Sequence, residues 1–142
     1  MDVAKQAFYD YPNRFRNDTS FRQEQCEKFY LEWISNSMKG FADLIIVAEK
    51  EDDILGFSTV KYKKIFYTDN IIVAEGQLAG WLNSCRGYGF NTKMLMKRLA
   101  ISSQYADFYE VGTQIYNYAS QRTFYKCGLK PIDSYFSFHI SL

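Results

Sequence analysis

The stretch of sequence that decides the fold is WLNSCRGYGFNT, residues 81–92. An apolar strand pattern ends here, a turn with two glycines follows, and a helical pattern begins at Phe90. In such a turn, several main-chain N–H groups and the positive end of the helix point at one spot, which suits phosphate. Arg86 adds a charge that can hold a diphosphate through two hydrogen bonds. The pattern predicts a phosphate-binding loop, although Gly87 and Gly89 also fit a turn without a ligand.

The periodicity on both sides of this loop predicts the order helix, three strands, helix, strand, helix, strand. The first helix contains an apolar stripe that begins at Cys26, with Ser20 and Gln23 as its capping box and Gly40 at its end. The later elements are strands over 44–48, 54–62 and about 70–82, a helix over 90–106, a strand over 109–115, a helix over 117–127 and a last strand over 136–142. This order predicts one α/β (α+β) domain, in which a mixed, largely antiparallel sheet is flanked by helices.

The residue pattern inside these elements gives finer predictions about packing. Residues 44–48 form a strand buried on both faces, joined to the next strand as a hairpin by the acidic turn 51–53. Gly76 and Gly80 indicate a bulge or the close approach of another backbone to the third strand. Other side chains are assigned to the core (Leu95, Met96 and Leu99), to solvent (Lys93, Lys97 and Arg98) and to one face of the last strand (Phe136, Phe138, Ile140 and Leu142).

Composition excludes several classes of function. The 142 residues include one histidine, so a three-histidine metal site within one chain is excluded and no metal is expected. Lys and Arg number 17 against 16 Asp and Glu, and this balance gives no electrostatic argument for nucleic acid or an anionic membrane as a partner. Cys26, Cys85 and Cys127 form no CxxC pair, which predicts a cytoplasmic protein with reduced thiols. No apolar run is long enough for a signal peptide or a membrane span.

Two motifs resemble those of the GNAT N-acetyltransferase superfamily. The acyl-CoA loop of that superfamily, Arg/Gln-x-x-Gly-x-Gly/Ala, falls on residues 86–91, with Asn91 in the position that usually holds Gly or Ala. The second motif falls on residues 117–129, NYASQRTFYKCGL, where Phe124 takes the place of the usual tyrosine and Tyr125 follows it. The resemblance covers about residues 42–142, an acetyl-CoA-binding core, and leaves 1–41 as a helical N-terminal part of the same domain. It implies the GNAT fold.

This resemblance also implies a cofactor and its contacts. The chain would use acetyl-CoA as acyl donor and transfer the acetyl group directly to an acceptor amine. The strand end before the loop would offer main-chain N–H groups to the acetyl oxygen, where each such donor contributes a factor of about 10²–10³ in rate. The implied cofactor-binding residues are Trp81, Leu82, Asn83, Arg86, Gly87, Tyr88, Gly89, Phe90, Asn91, Asn117 and Phe124.

The acid and the base of the reaction have several candidates. Phenylalanine cannot donate a proton, so Tyr125, another tyrosine such as Tyr116 or Tyr118, or water would protonate the departing thiolate. Glu75 and His139 are the candidates for the base that deprotonates the amine, and each also fits a solvated side chain without a catalytic role. The predicted catalytic pair is Tyr125 and Glu75.

A narrower resemblance concerns the acceptor. Residues 14–37, among them Arg14, Phe15, Asp18 and Phe21, resemble loosely the segment before the core in dTDP-amino-sugar N-acetyltransferases. This likeness implies a nucleotide-linked amino sugar as acceptor, and it implies that the first strand of the family sheet is absent or shortened. A protein amine, another small-molecule amine, and a catalytically inactive module that binds CoA or a partner protein are the alternatives. A homodimer is compatible with all of them.

Overall fold

A four-stranded sheet organises the chain in the computed structural model, which describes residues 2–9, 11, 13, 15–65 and 70–140. The elements are α1 (Asp2–Phe8), α2 (Gln23–Asn36) with a π-helical turn (Ser37–Phe41), β1 (Leu44–Lys50), β2 (Asp53–Lys64), β3 (Ile72–Trp81), a 3₁₀ turn (Asn83–Cys85), α3 (Phe90–Ser102), β4 (Phe108–Val111) and α4 (Tyr118–Lys126). The strand order is β1-β2-β3-β4, with antiparallel pairs except for the parallel pair β3–β4. The predicted mixed, largely antiparallel sheet with flanking helices is confirmed.

The hairpin of β1 and β2 is also confirmed, but the predicted burial of β1 is wrong. Its residues alternate between partly buried and exposed, and Ile45 and Val47 are exposed. β1 is the edge strand of the sheet, so one of its faces lies beyond the cover of the helices.

A β-bulge divides β3 into two halves. Ser58 pairs with Ala79 and Val60 pairs with Gly76, so two residues of β3 lie opposite Thr59 alone. The main-chain N–H of Leu78 donates to Thr59 Oγ1 at 3.1 Å, and Ser58 Oγ donates to the Leu78 carbonyl at 3.2 Å. Both hydroxyl side chains are fully buried. The bulge predicted from Gly76 and Gly80 is therefore confirmed, and side chains rather than a neighbouring strand satisfy its peptide groups.

The bulge turns the two halves of β3 toward different helices. A Cβ atom on Gly76 would meet Arg98 of α3, whereas a Cβ atom on Gly80 would lie 2.8 Å from Ala7 of α1. In a regular strand these two positions would share a face, and the extra residue reverses the second one. The core on the α1 and α2 side consists of Val3, Ala4, Ala7, Phe8, Tyr30, Ile34, Phe57 and Leu78. One strand thus contacts both helical layers, and side chains rather than another backbone approach both glycines.

The bulge gives a first prediction about stability. Thr59→Val keeps the shape of the side chain but leaves the buried N–H of Leu78 without an acceptor, so we expect a loss of about 1–3 kcal/mol in the free energy of unfolding. Thr59→Ser is the matched control, because it retains the hydroxyl and removes one methyl group, worth about 0.8 kcal/mol. Urea unfolding of the three proteins measures the difference. A smaller loss in the valine variant than in the serine variant would contradict this account of the bulge.

The start of α2 differs from the prediction, whereas its end agrees. The helix begins at Gln23 with Arg22 as N-cap, and the side chain of Gln25 accepts the main-chain N–H of Arg22 at 2.9 Å. The N–H of Ser20 instead donates to Asp18, so Ser20 and Gln23 do not form the capping box. Gly40 closes this helical region with φ +103°, as its position predicted.

The buried face of α3 lies one position away from the predicted stripe. Leu95 is fully buried as expected, but Met96 is 59% exposed and Arg98 is only 2% exposed, so both of those assignments are wrong. Met94, Leu95, Arg98 and Ser102 form the buried face. The helix also ends at Ser102, four residues before the predicted end. The charge of Arg98 favours a position in solvent, and the packing of α3 on the sheet overrides that preference.

The C-terminal region differs most from its prediction. β4 ends at Val111, and the described part of the last segment, 129–140, contains no strand. Phe136 and Phe138 are 89% and 92% exposed, although their spacing predicted a core face; Leu142 and Arg14 lie outside the described residues. An alternating pattern shows that a segment can pair, but pairing also needs a neighbouring strand. His139 Nδ1 instead lies 2.7 Å from Asp18 Oδ2.

Candidate functional site

The central feature of the site is an open strand edge. β4 pairs with β3 only over Val73–Gly76, while β3 continues through residues 77–81 with no partner strand on that edge among the residues that the structure describes. The N–H of Leu82 donates to the Leu55 carbonyl of β2 at 2.9 Å. Because N–H groups alternate in direction along a strand, those of Ala79 and Trp81 point to the open edge. The strands β3 and β4 therefore separate after Gly76 and leave a cleft with main-chain donors on one wall.

The turn that follows β3 places further donors at the same end of the sheet. After the 3₁₀ turn the chain passes Gly87 with φ +86° and Gly89 with φ +73°, and Gly89 is the N-cap of α3. No group in the described part of the chain accepts the N–H of residues 87–91. Arg86 and Tyr88 are exposed beside them. This region has the unpaired amides and helix dipole that an anion requires, as the sequence predicted.

Aromatic side chains fix the turn to the strand. The rings of Trp81 and Phe90 stack with centroids 5.7 Å apart, and Tyr88 lies 6.0 Å from Phe90. Trp81 Nε1 donates to Asn91 Oδ1 at 3.4 Å, and the indole covers Gly56 of β2, leaving no room for a Cβ there. The side chain of Asn91, at the position that usually holds Gly or Ala, is thus used to hold Trp81.

Asn117 lies at the other wall of the cleft, six residues after β4 ends. Its Oδ1 accepts the N–H of Ser120 at 3.2 Å, which makes it the N-cap of α4. The amide of Gln121 donates to the carbonyl of Ile115 at 2.6 Å and closes the preceding turn. The predicted helix beginning at Asn117 is confirmed, and Gly128 ends it with φ +84°.

Tyr11 contacts the wall of the cleft that follows β4 and was not found by sequence reasoning. Its hydroxyl donates to Gln114 Oε1 at 2.5 Å and accepts from Asn117 Nδ2 at 3.3 Å. The rings of Phe8 and Tyr30 contact Tyr11 edge-on. Burial raises the pKa of Tyr11, and the hydrogen bond from Asn117 opposes part of that rise. No local signal identifies this residue, because its partners lie more than 100 positions away along the chain.

Two structural facts connect Tyr11 with the open edge of β3. Ala7, four residues before Tyr11, packs on Gly80 in the half of β3 that does not pair with β4. The hydroxyl of Tyr11 is held by Gln114 and Asn117, which follow β4. The segment from α1 to Tyr11 therefore contacts elements on both sides of the cleft.

The described residues include no cluster of three or more His, Cys, Asp or Glu side chains that could hold a metal ion. Cys127 Sγ lies 3.8 Å from the Thr92 carbonyl, and burial raises the pKa of this thiol, which disfavours the thiolate form. Cys85 is partly buried in the turn. Within the same residues, no helix has both the length and the apolar character needed to cross a bilayer.

Comparisons with known proteins give similarity in structure alone. No protein-family model matches the chain, and no curated protein is detectably similar to it in sequence. A solved transcriptional regulator from Bacillus halodurans has a TM-score of 0.73 at 13% identity, over 98% of this chain and 93% of that one. AAC(6')-Iy, an aminoglycoside N-acetyltransferase in complex with a CoA bisubstrate analogue, has a TM-score of 0.67 at 12% identity, over 99% of this chain and 88% of that one. A GNAT family acetyltransferase from Staphylococcus aureus has a TM-score of 0.66 at 11% identity, over 98% of this chain and 88% of that one.

The chain has the GNAT acetyltransferase fold. The structure places the two motifs that resemble this superfamily at opposite walls of one cleft: the glycine turn follows β3, and Asn117 follows β4. Phe124, in the usual tyrosine position of the GNAT pattern, is partly buried on α4, and the neighbouring Tyr125 is exposed. Tyr116 and Tyr118 are exposed as well.

Glu75 lies apart from the open edge of the GNAT sheet. It belongs to the paired half of β3, before the bulge, where its carboxylate contacts Lys63 Nζ at 2.5 Å and Gln77 Nε2 at 3.2 Å. By the alternation of β3 it shares a face with Leu78, the side of the sheet that α1 and α2 cover. The roles of Glu75 and Tyr125 as catalytic residues stay predictions.

Proposed function

We propose that this protein is an N-acetyltransferase that transfers the acetyl group of acetyl-CoA directly to an acceptor amine. The observation that carries the proposal is the open half of β3, which leads without interruption into the glycine turn and α3. Main-chain donors for a carbonyl oxygen and for a diphosphate thus follow one another along 13 residues, 79–91. The GNAT fold supports this reading, since AAC(6')-Iy with the same fold is bound to a CoA analogue.

The donor-binding residues follow from this arrangement. The amides of residues 87–91 and the guanidinium of Arg86 hold the diphosphate, and the amides of Ala79 and Trp81 face the acetyl oxygen and the pantetheine chain. Each oxyanion donor of this kind raises the rate of the chemical step by a factor of about 10²–10³. The full proposed set is Trp81, Leu82, Asn83, Arg86, Gly87, Tyr88, Gly89, Phe90, Asn91, Asn117 and Phe124, in which Leu82 contributes through its side chain because Leu55 takes its N–H.

Tyr11 is the proposed proton donor to the leaving group. The amine nitrogen attacks the thioester carbon, the C–S bond breaks, and the electron pair leaves on sulfur, which takes the hydroxyl proton of Tyr11 to give free CoA thiol. Solvent returns a proton to the phenolate. Phe124 cannot do this, and Tyr125 lies at an exposed position, whereas the hydroxyl of Tyr11 lies beside Gln114 and Asn117 at the wall of the cleft that follows β4. Tyr125 remains the alternative donor and is compared with Tyr11 by mutation.

Glu75 is the proposed base that removes the proton from the amine, acting through water. Its contact with Lys63 keeps the carboxylate oriented on the α1 and α2 side of the sheet. His139 is the alternative base, and its contact with Asp18 places it among residues of the N-terminal segment.

An amino sugar is the proposed acceptor. The loose resemblance of residues 14–37 to dTDP-amino-sugar acetyltransferases supports it, and so do the aminoglycoside acetyltransferases among the structural neighbours. A protein amine or another small-molecule amine is the alternative acceptor. Phe124 favours a second candidate function, a module of this fold that binds CoA or a partner without catalysis.

Thermal unfolding with and without acetyl-CoA tests the proposal. A ligand at 100 times its Kd stabilises the folded state by about 2.7 kcal/mol, which raises Tm by several degrees. Arg86→Ala should lose most of this increase, whereas Lys97→Ala, an exposed cation elsewhere on α3, should keep it. No increase in wild-type Tm at millimolar acetyl-CoA would refute the proposed enzyme. Release of free thiol with dTDP-amino sugars, aminoglycosides, polyamines and peptides then identifies the acceptor, and binding without release favours the inactive module.

A further inference from the structure

A cluster of buried hydrogen-bond donors lies between α3 and the sheet, outside the proposed acetyl-CoA site. Arg98 and Ser102 are each 2% exposed. Arg98 Nε, Ser102 Oγ and the hydroxyls of Tyr62 and Tyr109 are all buried without a hydrogen-bond partner in the described part of the chain. Buried polar groups are almost always paired, so four such groups on adjoining elements require an explanation.

The sheet register makes these four groups neighbours. Tyr62 of β2 and Tyr109 of β4 both pair with Ala74 of β3, so their side chains leave the same face with a small residue between them. The next residue of β3 on this face is Gly76. Arg98 Nη1 lies 3.2 Å from the position that a Cβ on Gly76 would take, and the hydroxyl of Tyr109 is closer still.

The helix above this face completes the enclosure. Arg98 and Ser102 are four residues apart on α3 and therefore project from one side of the helix. Ala74 and Gly76, which carry little or no side chain, lie between these groups on the sheet, the two tyrosines flank them, and Arg98 and Ser102 come from the helix above. Every polar group of this cluster can donate a hydrogen bond.

The positive charge of Arg98 determines which kind of ligand this cluster can bind. An arginine guanidinium stays protonated near neutral pH, and burial without a counter-ion costs several kcal/mol. The central carbon of its guanidinium lies 5.8 Å from the centroid of the Tyr109 ring, a cation–π contact that offsets only part of this cost. No carboxylate among the described residues forms an ion pair with Arg98. Ordered water would satisfy the hydrogen bonds but not the charge.

We propose that this cluster binds one small inorganic monovalent anion, of the size of chloride, held by Arg98, Ser102, Tyr62 and Tyr109. One unpaired positive charge calls for one negative charge, and an ion held by four buried donors on three packed elements must be small. The anion would join β2, β4 and α3 beside Gly76, the last residue of β3 that pairs with β4.

Thermal unfolding in different sodium salts at equal ionic strength tests the site. We expect Tm in chloride or bromide to exceed Tm in gluconate, a much larger organic anion, by about 3–8 °C at saturation. Arg98→Met removes the charge and keeps the volume, so its Tm should be the same in all three salts. The matched control is Arg122→Met, which changes an exposed arginine on α4 and should retain the wild-type difference.

A crystal of the wild-type chain grown in bromide supplies a second measurement that does not depend on a variant. An anomalous peak within hydrogen-bond distance of Arg98 Nε would support the proposal. Equal Tm values in the three salts together with water alone at this position would overturn it. An equal response of wild type and Arg98→Met would also overturn it, because it would reveal a general salt effect.

Discussion

We expect Tyr11→Phe to lower kcat for acetyl transfer by about 10²–10⁴-fold, the usual contribution of a positioned general acid, with little change in the affinity for acetyl-CoA. The substitution removes only the hydroxyl, while the ring contacts with Phe8 and Tyr30 remain. Thiol release under saturating substrates measures kcat, and thermal stabilisation by acetyl-CoA measures binding. Because the two readouts are separate, a loss of turnover with intact binding isolates the proton-transfer step.

Tyr125→Phe is the paired variant for this experiment. If Tyr11 is the proton donor, Tyr125→Phe retains wild-type kcat. If Tyr125 is the donor, as the sequence predicts, Tyr125→Phe loses activity and Tyr11→Phe retains it. Gln114→Ala adds a further distinction, because it breaks one hydrogen bond of Tyr11 without removing the hydroxyl. Burial raises the pKa of Tyr11 from its usual value of 10.0, so the Tyr11 hydroxyl keeps its proton at neutral pH. Any loss of activity or stability from its ionisation is confined to pH values above about 10.

Gly56→Ala should lower the free energy of unfolding by about 1–3 kcal/mol, the usual cost of adding a methyl group to a packed site. The new Cβ would overlap three atoms of the Trp81 indole, which is part of a rigid ring and lies directly opposite on β3. Displacement of that ring would also disturb its stacking with Phe90 and its hydrogen bond to Asn91. We therefore expect weaker stabilisation by acetyl-CoA as well as a lower midpoint in urea.

Gly112→Ala is the matched control for this effect. Gly112 follows β4, nothing lies within 4 Å of a Cβ there, and its φ is not in the left-handed region. We expect a change in stability within about 0.5 kcal/mol for this substitution. Equal urea midpoints for the two alanine variants would show that Trp81 moves aside at no cost.

The features that sequence reasoning predicted correctly are encoded by neighbouring residues. A strand, two glycines and a helix follow one another in residues 81–92, and their spacing alone predicts the turn. Asn117 and Gly128 similarly mark the two ends of α4. In each case the decisive interactions, a helix cap or a positive φ, join residues a few positions apart.

The features that sequence reasoning missed depend on contacts between distant segments. Tyr11 meets Gln114 and Asn117 only after the whole sheet has formed. Arg98 is buried because small residues on β3 leave space beneath α3, a property of the sheet and not of the helix. For the last segment, Phe136 and Phe138 have the spacing of a strand, but alternation does not specify a partner.

The bulge in β3 has a consequence for how the gene of such a protein can vary. Deleting Gln77 would leave a single residue opposite Thr59 and restore uninterrupted pairing with β2, and Leu78 and Gly80 would keep their present faces. Deleting a residue from a regular part of the strand instead turns every later side chain to the opposite face. The bulge is therefore the position in β3 at which the loss of one residue by inherited change is expected to disturb the packing of the two helical layers least.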